Sequence, residues 1–437
     1  MVLNKKGYIY TILVVIISLI LVSLFLFYTQ SSVVVSKDSI NRMQGEEMHY
    51  FLESVKSDSS RALTVSLQRA AVYATDYVFR SNETLENYTM TPCGGIKYML
   101  NGSEAAIAEL MVCGTFKGVK SNYSRYLENN TIPDWINRTS DQAKLMNFKI
   151  QIKLEDLTIG LYDPFNMAYL AYFDIVVYDR VNQTQYHGYH IPVTGIVPTY
   201  IMEDPLYYVK FGMPPLVRGY RECETHQYVD AETLDSFIDR RCYLTSDSSY
   251  GGPSVFDRLD GRSTLHGKYK NQTAELASKL NFSAGAIGVE SFINMDELAS
   301  YNITINANNS QVDYLYWNNT FAYCGVEGMF HADFKIDTPH ARKYNVQGLY
   351  CAIVLKSPSP NQDAYYPTSI SVPVNTTIYW FNQDTAAHSI AIWPPVWSGT
   401  RSLPPASHIS WTFNQTGTYT YACLVPGHMG SGSIIVG

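Results

Sequence analysis

The chain opens on an uncharged, apolar run from Tyr8 to Tyr28. A run of that length is what a helix needs to cross the hydrocarbon core of a bilayer. Beyond Thr29 the pattern turns amphipathic. Ile40, Met43, Phe51 and Val55, then Leu63, Leu67, Ala70, Ala71, Ala74 and Val78, recur at spacings of three and four, with no proline before Pro92. This spacing predicts one long or briefly interrupted helix from about Tyr8 to Phe79, whose later part lays an apolar stripe on a folded body.

From Asn147 to Met213 the period changes to two. Phe148, Ile150, Ile152 and Leu154 alternate with polar residues, and Leu170–Tyr178 and Tyr189–Ile196 are further strand candidates, punctuated by Pro164, Pro192, Pro198 and Pro205. Residues 216–348 read as mixed, with helices over Thr233–Arg241 and Thr273–Leu280 and strands near Tyr301–Ile305 and Val312–Trp317. Lys356–Ala364 is polar and turn-rich, a linker or a first loop, after an opening strand over Leu349–Leu355. Six short strands follow: Ile370–Val372, Thr377–Phe381, Ser389–Ile392, Ile409–Phe413, Thr418–Ala422 and Ser433–Val436. They predict a small antiparallel sandwich. The chain as a whole reads as mainly β. Its divisions are a cytoplasmic basic N-terminus (1–7), a transmembrane helix (8–28), a helical stalk (29–80), a central β-rich α+β ectodomain (81–348) and a terminal β-sandwich (349–437).

Charge sets the orientation. Lys5 and Lys6 precede the apolar run, so the positive-inside rule places the N-terminus in the cytoplasm and the body outside the cell. A cleaved secretory signal has a shorter apolar region ending in small residues, whereas this run ends in Phe25, Leu26, Phe27 and Tyr28. A net charge of −7 with no basic stripe argues against nucleic acid as a partner. The 35 Tyr and 18 Phe fit pleated surfaces.

Sequons agree with an exported glycoprotein: Asn82, Asn87, Asn101, Asn122, Asn129, Asn137, Asn182, Asn271, Asn281, Asn302, Asn308, Asn318, Asn375 and Asn414 each begin Asn-x-Ser/Thr. Of the seven cysteines, six fall into neighbouring couples, Cys93 with Cys113, Cys223 with Cys242 and Cys324 with Cys351, although six cysteines allow 15 pairings. Cys423 is left over.

Cys423 has company. His388 opens a strand after Asn382-Gln383-Asp384-Thr385-Ala386-Ala387, and Cys423 and His428 lie in Tyr421-Ala422-Cys423-Leu424-Val425-Pro426-Gly427-His428-Met429. One soft thiolate and two imidazoles are what a copper ion cycling between Cu(I) and Cu(II) requires, with at most a weak axial partner. The structural alternatives are a core histidine and an inert buried thiol. His187 and His190 form an H-x2-H pair that no further ligand completes, and no His-x-His pair occurs anywhere.

Residues 364–437 resemble a cupredoxin of the plastocyanin/azurin type. Trp380-Phe381-Asn382-Gln383-Asp384 before His388, the stretch Ser402–Phe413, Gly417–Tyr421 and the Cys423–His428 loop carry the resemblance. It implies one type 1 copper ion on His388, Cys423 and His428, with Asn382 hydrogen-bonding near the thiolate. The family places an axial methionine two residues before the glycine that opens the final strand; here that position is Gly430, and Met429 directly follows His428. Either Met429 reaches the copper from a shortened loop, or the axial position is empty or filled by a carbonyl or water.

The N-terminus resembles an archaeal type IV pilin precursor, with Lys5-Lys6-Gly7 before the hydrophobic helix and cleavage implied after Gly7; the glutamate found near that point in many bacterial pilins is Ile12 here. Residues 80–348 contain neither a phosphate-binding glycine loop nor a nucleophile elbow, so no residue constellation there supports an enzyme; none is expected of the chain, and the sequence leaves the role of this central region open. The expected function is that of a membrane-anchored extracellular blue-copper electron carrier with a protein redox partner. The rival is a structural, pilin-like or adhesion protein with self-assembly through the N-terminal helix.

Overall fold

A computed structural model of the protein describes residues 5–93, 101–120, 124–179, 185–213, 218–359, 362–428 and 430–437. Met429, Asn122, Asn182 and the first four residues of the basic N-terminus lie outside these residues.

Helix α1, Lys5–Ser81, runs for 77 residues. Its stretch Tyr10–Gln30 is long and apolar enough to cross a membrane, and none of it is buried in the protein. At about 1.5 Å per residue, those 21 residues reach roughly 31 Å, the depth of a bilayer core. From Met48 onward one face is buried through Leu52, Val55, Leu63, Leu67, Ala70, Ala74 and Val78. Met43 belongs to the predicted stripe but is exposed, because the body begins only one turn later.

That face packs on α2 (Ser103–Cys113) and on an antiparallel meander of three long strands, β1 (Phe148–Asp163), β2 (Asn166–Asp179) and β3 (Gln185–Pro198). β2 lies between the other two; Met167–Ala171 are buried on both faces, and from Tyr172 onward half-buried residues alternate with buried ones. The expected helices appear as Ala231–Arg240 and Gly267–Leu280.

Two expectations fail here. Residues 301–305 form a turn and irregular chain, and Asp313–Trp317 is a short helix, not a strand. A strand would send Asp313 to the face opposite Val312 and Tyr314, whereas a helical turn buries Asp313, Tyr314 and Tyr316 together. Asp313 is held there by Arg258, which donates from Nη1 to Asp204 and from Nη2 to Asp313, both at 2.6 Å and all fully buried. With α1 and many short body helices beside the sheets, the described chain is mixed α and β, not mainly β.

The disulfides join the neighbouring couples, Cys93–Cys113, Cys223–Cys242 and Cys324–Cys351. The last of them ties the body to the terminal sheets. It links β4 (Cys324–Val326) to β5 (Leu349–Ser359), which pair antiparallel with Cys324 facing Cys351. The stretch expected as a linker or a first loop, Lys356–Ala364, instead lies mostly in β5 and in β6 (Gln362–Tyr366), which pair antiparallel; residues 360 and 361 lie outside the described ones.

Seven further strands complete two sheets: β7 (Ser369–Val372), β8 (Thr376–Asn382), β9 (His388–Trp393), β10 (Arg401–Leu403), β11 (His408–Phe413), β12 (Gly417–Cys423) and β13 (Ser431–Val436). One sheet runs β6-β5-β8-β11 with β4 also on β5; the other runs β7-β13-β12-β9-β10. Pairing is not wholly antiparallel, since β8 runs parallel to β5 and β7 parallel to β13. Inward residues of both sheets share one core, with Ile353, Ile378 and Trp380 from the first and Ile390, Tyr421 and Ile434 from the second. The Trp380 and Tyr421 rings meet edge-on at 5.8 Å. Leu234, Phe237, Phe292 and Val326 of the body belong to the same core, so the sheets are packed onto the body rather than tethered to it.

Candidate metal centre

β9 and β12 are antiparallel neighbours, with Ile390 opposite Cys423. His388 stands two residues before Ile390 on the same inward face, so strand pairing alone brings the start of β9 beside the end of β12. The turn after β12 then folds back: Leu424 N–H donates to Ser389 O at 2.8 Å, and His428 N–H donates to Val425 O at 3.0 Å. This returns the His428 ring to the same end. Residues far apart along the chain thus meet through register, not through local sequence.

The three side chains converge. Cys423 Sγ lies 3.5 Å from His388 Nδ1 and 3.9 Å from His428 Nδ1, and the two Nδ1 atoms are 3.0 Å apart. His388 and Cys423 are buried, and His428 is half-buried. Among the described residues this is the one group of three or more His, Cys or acidic side chains whose ligand atoms lie within 4.8 Å of one another. A point equidistant from the corners of that triangle is about 2.0 Å from each, which matches the roughly 2.0–2.1 Å of a zinc–imidazole bond and is about 0.3 Å short of a zinc–thiolate bond, so an ion displaced slightly from sulfur fits. The donor set of one thiolate and two imidazoles is that of copper sites. The residues therefore fit a copper ion.

The loop before His388 is built by side chains. Asn382, 2% exposed, donates from Nδ2 to Ala386 O at 2.7 Å and to Leu403 O at 3.0 Å, while its Oδ1 accepts from Asp384 N–H at 3.0 Å. The resemblance implied a bond near the thiolate; the described bonds of the Asn382 side chain go instead to the loop and to β10. Asp384 is the residue that sequence reasoning left without a role. Its Oδ2 lies 2.7 Å from His388 Nε2 and its Oδ1 accepts from Ala386 N–H at 2.8 Å. An acid four residues before a ligand histidine, in a segment opened by an asparagine, is the signal that could have revealed it.

The other histidines do not join the cluster. His190 stacks on Tyr172 at 4.0 Å and faces Glu155, on the meander. His340 lies buried against Asp337 and Glu290.

No protein-family model matches the chain, and no curated protein matches it. Among solved structures the chain is similar to a purple cupredoxin from Nitrosopumilus maritimus, at 21% identity and TM-score 0.18 over 20% of this chain and 98% of that one. It is similar also to an amicyanin from Paracoccus versutus, at 21% identity and TM-score 0.17 over 20% and 79%. A third similarity is to a copper-containing nitrite reductase from Thermus scotoductus, at 21% identity and TM-score 0.16 over 20% and 22%.

Proposed function

We propose that this chain is a membrane-anchored, extracellular type 1 copper protein that carries single electrons to or from a protein redox partner at the cell surface. The observation that carries this reading is the triangle of His388 Nδ1, His428 Nδ1 and Cys423 Sγ at one end of a two-sheet structure. Held there, copper supplies one-electron exchange between Cu(I) and Cu(II). The chain's own part is to keep the three donors in place in both states, which it does with a buried His388 at the start of one strand, Cys423 at the end of its neighbour and a core shared with the body. His428 is the one donor half open to solvent, and Leu424, Pro426 and Gly427 around it are exposed and uncharged. That edge is where a partner would meet the site.

In this reading residues 349–437 are a cupredoxin unit, 81–348 and the later part of α1 are its base, and Tyr10–Gln30 is the anchor. Asn375 and Asn414, in the turns entering β8 and β12, are exposed and side by side, Asn375 N–H donating to Phe413 O at 2.7 Å. Both strands run seven residues, about 23 Å, from those sequons to Asn382 and Cys423 at the opposite end. Sugars there would leave the metal end bare.

The test is copper uptake by the full-length protein in detergent. The wild type is expected to retain one equivalent through gel filtration, and the double variant His388→Ala, Cys423→Ser none. Equal uptake by both would place any copper elsewhere. The unbroken α1 favours a second reading, a filament or adhesion subunit with this head, for which the intact mass of the purified N-terminus is diagnostic: cleavage after Gly7 supports it and an uncleaved chain counts against it.

A further inference from the structure

We propose that Asp384 is a positioning residue that fixes the His388 ring for metal binding and favours the oxidised over the reduced ion. This rests on the copper reading above and concerns a side chain that does not itself belong to the triangle.

Asp384 is held from several sides. Its backbone N–H is bound by Asn382 Oδ1, its Oδ1 by Ala386 N–H, and its Oδ2 sits 2.7 Å from His388 Nε2. The Asp384 side chain is 10% exposed and that of His388 0%, so water hardly competes for the contact. A carboxylate can only accept, so His388 Nε2 must carry the ring proton. In the neutral ring this leaves the Nδ1 lone pair directed at Cys423 Sγ and His428 Nδ1, the side from which an ion would be bound.

Two consequences follow from the negative charge behind the ring. It fixes the tautomer and orientation of the ring, the effect of outer partners on metal-bound histidines. It also attracts a doubly charged ion more than a singly charged one, through surroundings less polar than water. The first readies the site for an ion and the second favours Cu(II).

The blander role is that Asp384 merely closes the turn through Oδ1 and Ala386 N–H. Replacement by asparagine separates the two roles. If the introduced amide carbonyl keeps the Ala386 N–H bond, the amide N–H group faces His388 Nε2 and can be matched only by moving the ring proton to Nδ1, the metal side. If the amide turns to satisfy Nε2–H, it loses Ala386. Asp384→Asn therefore cannot keep both the Ala386 bond and the Nε2–H tautomer, and in either orientation the charge behind the ring is gone.

The experiment compares wild type, Asp384→Asn and Asp384→Ala as full-length proteins in detergent, each with selectively ¹⁵N-labelled histidine. In the metal-free proteins, ring ¹⁵N spectra report the tautomer of His388. In the copper-loaded proteins, a redox titration followed in the visible reports the potential. The expected results are an Nε2–H tautomer in the wild type that is lost in Asp384→Ala and in Asp384→Asn with its Ala386 bond intact, copper affinity at least about tenfold weaker in both variants, and a preference for the reduced ion at least about tenfold greater, a rise of about 59 mV for a one-electron couple. An unchanged potential and tautomer in Asp384→Asn, with wild type binding copper, overturns the proposal. A wild type that takes up no copper overturns the copper reading instead, and the tautomers of the metal-free proteins then still decide whether Asp384 sets the ring. Should Asp384→Ala not fold, Asp384→Asn carries the comparison alone.

Discussion

Replacing Asn382 by leucine removes the brace of the loop that carries Asp384 and His388. The substitution preserves size and burial but deletes three hydrogen bonds, to Ala386 O, Leu403 O and Asp384 N–H. Each is worth about 1 kcal/mol net, and a buried partner left unsatisfied costs about 1–3 kcal/mol. Ala386 is exposed and can turn to water, whereas Leu403 is fully buried at the edge of the second sheet. The loss should therefore be about 3–5 kcal/mol. Asn382→Asp keeps the acceptor for Asp384 N–H but sets a carboxylate against two carbonyls, so a loss of similar size is expected. Guanidinium unfolding followed by tryptophan fluorescence is a suitable assay, because four of the six tryptophans report on the terminal unit, Trp380, Trp393 and Trp411 in its strands and Trp397 in the loop between β9 and β10. Copper affinity should fall with the brace, since the loop that positions His388 is freed. A loss under about 1 kcal/mol with unchanged copper affinity would refute the idea that Asn382 organises the site.

Three more outcomes are expected. Opening the Cys324–Cys351 bridge by a double serine substitution releases a sequence separation of 27 and should cost about 3.5 kcal/mol in the chain-entropy model, read as a lower unfolding midpoint that reductant no longer shifts at this bridge. Burial alone would lower the pKa of His340, but its bonds to Asp337 and Glu290 outweigh that and push it up to about 9 from 6.5. A proton bound more tightly by the folded chain stabilises it fully below about pH 6.5 and is lost as pH rises through about 9, on the order of 3 kcal/mol. His340→Gln should flatten the fall in unfolding midpoint over that window, and identical slopes in both proteins would contradict this. Asn375→Gln and Asn414→Gln should each remove one glycan from the mass of the protein expressed in its native host while leaving its visible spectrum unchanged.

Much of this architecture was legible because it is periodic. The 3.6-residue stripe foretold a long helix over α1, and strict alternation from Phe148 foretold a strand there, though not the pairing of the three strands into a meander. The short period from Val312 to Trp317 misled, because Asp313 faces inward to Arg258 and a pattern of apolar residues cannot reveal a buried ion pair. The triangle of His388, Cys423 and His428 was legible as chemistry, since one thiol and two imidazoles in a strand-and-loop setting belong to few metals. What surrounds it was less so. Asn382 and Asp384 act through hydrogen bonds that depend on how the turn closes, and nothing in their spacing says which oxygen faces which nitrogen. The parallel pairing of β8 with β5 escaped for the same reason, as period-two patterns carry no strand direction.

The central claim is that one sulfur and two ring nitrogens share a copper ion. Its most direct measurement is the visible absorption of the full-length protein after addition of one equivalent of Cu(II), beside Cys423→Ser. On this account, an intense visible thiolate-to-copper band is expected in the wild type and absent from the variant. A wild type that binds copper without colour, or a band that survives the loss of Cys423, would contradict it.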